Sequence, residues 1–274
     1  MPKCWSLSTT IRNPERNIPF LRVLAEFEGE VFTEEVQAAF FKRLIQTKNY
    51  KPTGLPSDIV AKYEEPEEFT DEELEQILDL IHYENSQYDN QEQIYAFRGR
   101  TAVGNLNKMG MAIAREAIDT VTITPLGRDI LSGSPNFENI FLRYCLKWQL
   151  PNPAESGYHG FNIIPFIATL HVINKVNELW SNEGNKPVGL SKEEFALFIP
   201  VLTHYRDIEK TAENIINFRK TIRTLNANDS RVYIDNCFRE TVIRVFELDK
   251  NDEFNITKKI NNLCDYGDSA IRYF

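Results

Sequence analysis

The chain is poor in cysteine and histidine and has no long apolar run. Cys4, Cys145, Cys237 and Cys264 are scattered through 274 residues without a C-x-x-C pair. That spacing speaks against a zinc cluster or a disulfide framework and for a reducing cytoplasm. The longest apolar stretch, Phe195 to Leu202, is far shorter than the roughly 20 residues of a membrane helix. The opening MPKCWSLSTTIRNPER is polar where a signal peptide carries its apolar region. The expectation is a soluble cytoplasmic protein with no membrane partner.

Catalytic signatures are missing too. No acid is followed at the second position by lysine, the pattern of magnesium-dependent nucleases, whose carboxylates hold the ion that activates water. Gln46-x-Lys48 comes nearest, but the first aspartate of the chain is Asp58. His82, His159, His171 and His204 are isolated, with no H-E-x-x-H, and read as core or surface imidazoles. There is no G-x-S-x-G, and Gly99-x-x-x-x-Gly104 runs into Asn105-Leu106 rather than the Lys of a P-loop. The acidic run lacks the alternating ligands and central glycine of an EF-hand. On the residues alone, no catalytic residue, metal ligand or cofactor is assigned.

What the chain does have is 42% hydrophobic residues, enough for a substantial core. It also carries a formal charge of −9, which at first sight speaks against nucleic acid. The charge is unevenly placed. Twelve acids and no Lys or Arg lie between Glu64 and Glu92, and outside that segment 31 basic residues meet 28 acidic ones. Cations gather at Arg12–Arg22, Lys42–Lys51, Arg98–Arg115 and Arg206–Arg231. Each cluster suits either a solvated helix face or a phosphate-facing side.

Periodicity predicts a mainly α protein, a helical bundle with winged-helix or helix-turn-helix-like subdomains and a few short strands. Asn13-Pro14 caps a helix whose stripe is Ile18, Leu21, Leu24 or Ala25, and Phe27. Thr33 caps a second, with Val36, Phe40, Phe41, Leu44 and Ile45 at helical spacing. Thr70 and Glu73 form a capping-box pair ahead of Leu74, Ile77, Leu78 and Ile81, so the acidic run is the outer face of an amphipathic helix. From about 94 to 131, a glycine-bearing loop (FRGRTAVGN) leads into a helix through Met109, Ile113 and Ile118. A half-buried strand follows, with Val121 and Ile123 alternating with threonines; Pro125 stops it, and a helix restarts at Leu126. That order resembles a winged-helix wing, in which the helix before the wing enters the major groove.

A helix from Asn136 to Gln149 ends at Pro151-Asn152-Pro153, the expected boundary between domains 1–153 and 154–274. Beyond it come an apolar helix (Ile163, Ile164, Ile167, Leu170, Ile173, Val176, Leu179) and the capping box Ser191/Glu194. Helices from about Asp207 and Arg231 follow, and the last segment reads as helix, Tyr-Gly turn, helix. The candidate DNA contacts are Arg98 and Arg100 in the loop and Asn105 and Lys108 at the start of the next helix. Arginine reads guanine, asparagine reads adenine, and helix N-termini favour phosphate. Arg12 and Arg16 are candidate phosphate contacts. The alternatives are an ordinary solvated loop for the first four and a helix-face pair near Glu15 for the last two.

Several blocks resemble the AlwI family of type IIS restriction endonucleases and their nicking relatives. They are Trp5 to Arg16, Leu24 to Glu30 with Glu28-Gly29, Gln37, Phe97 to Thr101, and Ile123 to Arg128. Leu146 to Pro153, Ile164-Pro165-Phe166, Gly189 to Phe195, and Ile271 to Phe274 continue the series in order. The resemblance implies a recognition portion built from helical and winged-helix subdomains, followed by a magnesium-dependent nuclease domain that cuts beside a short asymmetric site. This chain resembles the recognition portion only, so that nuclease domain, with its Mg²⁺, is expected to be absent and no catalytic residue carries over. Double-stranded DNA is the implied partner, with a second nuclease subunit or a transient dimer during cleavage. The alternative is a non-enzymatic helix-turn-helix regulator.

Overall fold

The computed structural model describes residues 3–8, 10–84, 90–115, 120–133, 137–152, 155 and 157–274, with side chains from 82 to 84 omitted. Asp89, Ile118, Asn136 and Pro153, which figure above, lie outside the described residues. Among those described there are twelve α-helices and two short strands, and the protein is mainly α. By internal contacts the chain divides into two compact units: Asn13–Phe137, and the segment ending at Arg12 together with Glu138–Phe274.

The unit Asn13–Phe137 opens with a 3-10 turn, Pro14–Arg16, in which the Asn13 side chain accepts from the Glu15 amide. Helix α1 (Asn17–Ala25) follows, then α2 (Glu34–Gln46), α3 (Ser57–Lys62), α4 (Asp71–Glu84), α5 (Gln91–Lys108), strands β1 (Ala112–Ile113) and β2 (Thr122–Ile123), and α6 (Pro125–Leu131). The expected caps form: the Thr33 hydroxyl accepts from Val36 N, and Thr70 and Glu73 satisfy each other's backbone amides. Leu74, Ile77, Leu78 and Ile81 are buried on α4, while Asp71, Glu72, Glu75 and Asp79 face solvent. The acidic run is therefore an amphipathic helix's outer face, as the period of 3.6 requires. On α1 the buried stripe is Phe20, Leu21, Val23 and Leu24. Ile18 is only half-buried, so the stripe is set one step round from the predicted one.

The segment FRGRTAVGN is not a loop. It lies inside α5, which ends at Lys108, before Ile113 rather than through it. The glycines misled the reading because one of them serves packing: a Cβ on Gly99 would lie 2.0 Å from the Gln37 carbonyl oxygen of α2. Absence of a side chain lets α5 and α2 touch backbone to backbone, which outweighs the ordinary helix penalty of glycine. Gly110, at φ 71, then turns the chain into β1.

β1 and β2 form an antiparallel hairpin, Ala112 opposite Ile123 and Ile113 opposite Thr122. A bridge between Val31 and Thr120 adds the chain that joins α1 to α2. Val121 and Ile123 are buried and Thr122 exposed, the predicted alternation. Thr124 caps α6, with Pro125 at its first turn.

In the other unit, α7 (Phe137–Lys147, all but its first residue), α8 (Pro165–Asn182), α9 (Lys192–Phe198), α10 (Ile208–Thr224), α11 (Ala227–Phe246) and α12 (Glu253–Tyr273) surround two cores. Trp5, Leu7, Trp148, Val172, Val176, Trp180, Ile215 and Tyr273 belong to the first; Leu197, Phe218, Phe238, Val242, Ile256 and Leu263 belong to the second. Trp5 is anchored by its indole N–H on the Leu202 carbonyl at 3.0 Å. On α8 the buried stripe is Ala168, Val172, Val176 and Trp180, while Leu170, counted in the predicted stripe, is exposed. This inward face packs on α10. The Tyr-Gly turn near the C-terminal end does not exist, since α12 is continuous. Gly267 is buried, and a Cβ there would stand 2.7 Å from Ala196 Cα of α9.

Candidate nucleic-acid interface

The cationic clusters of the sequence are largely consumed within the fold. In unit Asn13–Phe137, Arg43 donates to Glu26 (2.8 Å) and Glu68 (2.6 Å), and these carboxylates hold its pKa above the ordinary arginine value. Lys42 pairs with Glu92 at 2.7 Å, and Lys48 donates to the Lys62 and Glu65 carbonyls. Arg128 reaches Glu28 at 2.7 Å. Arg16 donates to the Asn49 carbonyl at 2.8 Å. In the other unit Arg12 is paired with Asp265 at 2.8 Å, with Asp268 at 3.7 Å.

The four candidates on α5 separate by helical position. At about 100° per residue, Gln93, Phe97, Arg100, Thr101, Gly104 and Lys108 share one side of the helix. The buried side carries Ile94, Tyr95, Gly99, Ala102, Val103, Asn105 and Leu106. Arg98 is turned away from Arg100: it is half-buried and donates to the Tyr50 hydroxyl at 3.3 Å. Asn105 is a correction. It is 3% exposed, with its amide donating to Asn17 Oδ1 at 2.6 Å and contacting Met109 Sδ. A buried amide joined to another buried amide supports the α1–α5 packing and cannot reach a base edge.

The outer side that remains has an unusual composition. Phe97 is 55% exposed, and the Arg100 guanidinium lies 5.7 Å from its ring centroid, a spacing at which ring and cation attract. Thr101 spends its hydroxyl on the Phe97 carbonyl at 2.8 Å. A Cβ on Gly104 would meet nothing within 4 Å, so the backbone is open to close approach there. Lys108 closes the last turn. Phe97 and Gly104 were not among the sequence candidates; the i, i+3, i+7, i+11 spacing of Phe97, Arg100, Gly104 and Lys108 would have found them once the segment was read as helical.

The end of α5 is tied to the hairpin. Asn107 donates to the Ala114 carbonyl at 2.8 Å and accepts from the Ala114 amide at 2.9 Å. Thr124 donates to the Gly110 and Met111 carbonyls, and Glu28 accepts from the Ile123 amide at 3.0 Å. The helix face and the hairpin are therefore one rigid construction. Among the described residues no three His, Cys, Asp or Glu come together as metal ligands, and no helix is long and apolar enough to cross a membrane. No curated protein matches the chain. The AlwI restriction endonuclease family model matches residues 107–274, more than half of the sequence, and the chain belongs to that family.

Proposed function

We propose that this chain recognises double-stranded DNA for a type IIS restriction endonuclease of a restriction-modification system, with α5 of unit Asn13–Phe137 as the helix that enters the major groove. One observation carries the reading. The order α1, isolated bridge at Val31, α2, α5 and the β1–β2 hairpin supports a winged-helix reading, in which α3 and α4 would be inserted before the reading helix. The side of α5 turned from the core carries Phe97, Arg100 and Thr101, all exposed, with Gly104 and Lys108 half-buried on the same side. B-DNA's major groove admits one helix, and arginine and lysine there read guanine or hold phosphate.

Of the sequence candidates, Arg100 and Lys108 are the proposed direct contacts. Arg98 is a positioning residue through Tyr50. Arg16, in the unit of α5, and Arg12, in the other unit, are each retained as phosphate contacts, with their present partners exchanged for phosphate on binding. Cleavage beside the site would be the work of a magnesium-dependent nuclease domain, alone or paired with a second nuclease subunit or a transient dimer. Among the described residues no three His, Cys, Asp or Glu gather as ligands for such an ion. Four free thiols suit a reducing cytoplasm.

The test is selection of bound duplexes from a random pool at fixed salt. A short non-palindromic consensus is expected, and Arg100→Ala should weaken consensus binding more than binding to random duplex. A palindromic consensus bound by a dimer, or no binding at low salt, would overturn the reading.

A further inference from the structure

We propose that Phe97 reads the 5-methyl group of a thymine in the bound duplex, making it a specificity-determining residue rather than a surface accident. The inference rests on the reading of α5 as the helix in the major groove and assigns it a base.

Of the large hydrophobic residues exposed in unit Asn13–Phe137 among those described, Val31 and Ile113 belong to the small sheet and Phe97 is the one on a helix. It sits on the side of α5 that carries Arg100, Thr101, Gly104 and Lys108, not at the edge of a core. An isolated exposed hydrophobe needs no explanation by itself. Here it stands within one turn of a cation, on the side of α5 that also carries Gly104 two turns further on.

The chemistry of the neighbours selects the ligand group. Arg100, stacked at 5.7 Å, restrains the ring and brings a cation to the same edge. The Thr101 hydroxyl donates its proton to the Phe97 carbonyl at 2.8 Å, so it offers no donor to a base and leaves only its oxygen as an acceptor. Gly104, with nothing within 4 Å of its missing Cβ, leaves room for a groove edge to come close. In the major groove the thymine 5-methyl is the apolar group that a base pair displays among hydrogen-bonding atoms, and an aromatic side chain is a suitable partner for it.

The test uses the full chain and the duplex consensus recovered by selection. Each thymine in turn is replaced by deoxyuridine, which removes the methyl and leaves pairing intact. At one position, or two adjacent ones, the wild-type protein should bind about three- to fivefold more weakly, the worth of one buried methyl. Phe97→Ala should bind the thymine and uracil duplexes equally, and Phe97→Leu should keep part of the preference. Because Phe97 is exposed, its variants should melt with the wild type, which separates reading from folding. Indifference of the wild type to uracil everywhere, an undiminished uracil penalty in Phe97→Ala, or a consensus made of G·C pairs only would overturn the inference while leaving duplex recognition standing. Absence of any consensus would instead remove the reading of α5 itself, and this inference with it.

Discussion

Asn107, in the last turn of α5, pairs with both backbone groups of Ala114, at 2.8 and 2.9 Å, as a neighbouring strand would. One side chain thus replaces a ladder position and fixes where the β1–β2 hairpin leaves the helix. Ala114 is fully buried, so its amide and carbonyl have no recourse to water. Asn107→Ala is expected to cost about 2 kcal/mol, the penalty of leaving buried backbone groups unpaired, read as a lower midpoint in chemical denaturation. Asn107→Asp keeps the acceptor and loses the donor, so its loss should fall between the two. A wild-type midpoint in Asn107→Ala would show that the hairpin is held by other means.

Gly99 and Gly104 lie five residues apart in α5 and should respond oppositely to alanine. At Gly99 the new Cβ would stand 2.0 Å from the Gln37 carbonyl oxygen, and α2 and α5 would have to separate. We expect a loss of about 3 kcal/mol, at the upper end of ordinary overpacking. At Gly104 the Cβ meets nothing, and replacing glycine in a helix gains up to about 1 kcal/mol. Gly104→Ala should therefore melt higher yet bind duplex DNA more weakly, because the methyl fills the space left for the groove. Thermal melts and anisotropy titrations of the same two variants check both halves.

Glycine also marks the limit of what the sequence disclosed. The caps at Thr33, Thr70/Glu73 and Ser191/Glu194, the faces of α2 and α4, and the hairpin strand at Val121–Ile123 were legible, because capping and periodicity are local. The interior of α5 and the unbroken α12 were not. Gly99 and Gly267 look like breakers until Gln37 and Ala196, 62 and 71 positions away in sequence, come against them. Hidden partners had the same effect on the candidate site. Nothing near Asn105 foretells Asn17, and nothing near Arg98 foretells Tyr50, so periodicity could sort those residues only after the helix was known.

Two buried thiols give the fold an alkaline limit. Burial pushes Cys4 and Cys145 up to about 11, above their ordinary value of 9.0. The folded state thus prefers the protonated thiol. Its contribution is fully present below pH 9 and is lost as pH rises from about 9 toward 11, where the unfolded chain ionises and the folded one resists. Denaturation midpoints should fall across that window, and less steeply in Cys145→Ala than in the wild type when each is compared with its own value at pH 7. In native protein, Cys264, the exposed thiol, should react with a thiol reagent first, ahead of Cys4 and Cys145. An equal rate at all cysteines would contradict this burial.

Salt offers an independent measure of the α5 face. Each phosphate contact releases condensed counterions, so the slope of log affinity against log salt falls by about one for each lost contact. Lys108→Ala should lower the slope with little change in sequence preference. Arg100→Ala, if it grips a guanine, should blunt discrimination at one position by roughly 1–3 kcal/mol. Unchanged slopes in both variants would place the duplex on another surface.

The pair Arg219–Glu194 makes the severest demand on stability. Glu194 Oε2 accepts from the Ser191 amide at 2.8 Å and from Arg219 Nη2 at 2.6 Å, while Oε1 accepts from Arg219 Nε at 2.7 Å. One carboxylate both closes the capping box of α9 and neutralises the guanidinium of Arg219, a residue only 8% exposed, which lies 5.0 Å over the Trp180 ring. Glu194→Gln preserves shape and the cap but strands the buried positive charge. Breaking a buried pair from one side costs about 3–5 kcal/mol, enough to bring a domain of ordinary stability near its threshold. Adding Arg219→Met to Glu194→Gln removes the stranded charge and should recover part of that loss, so the two substitutions should be far from additive. Simple additivity in the double-mutant cycle would mean that charge pairing contributes little here, and that Arg219 is held by Trp180 and by its hydrogen bond to the Gly189 carbonyl at 2.8 Å.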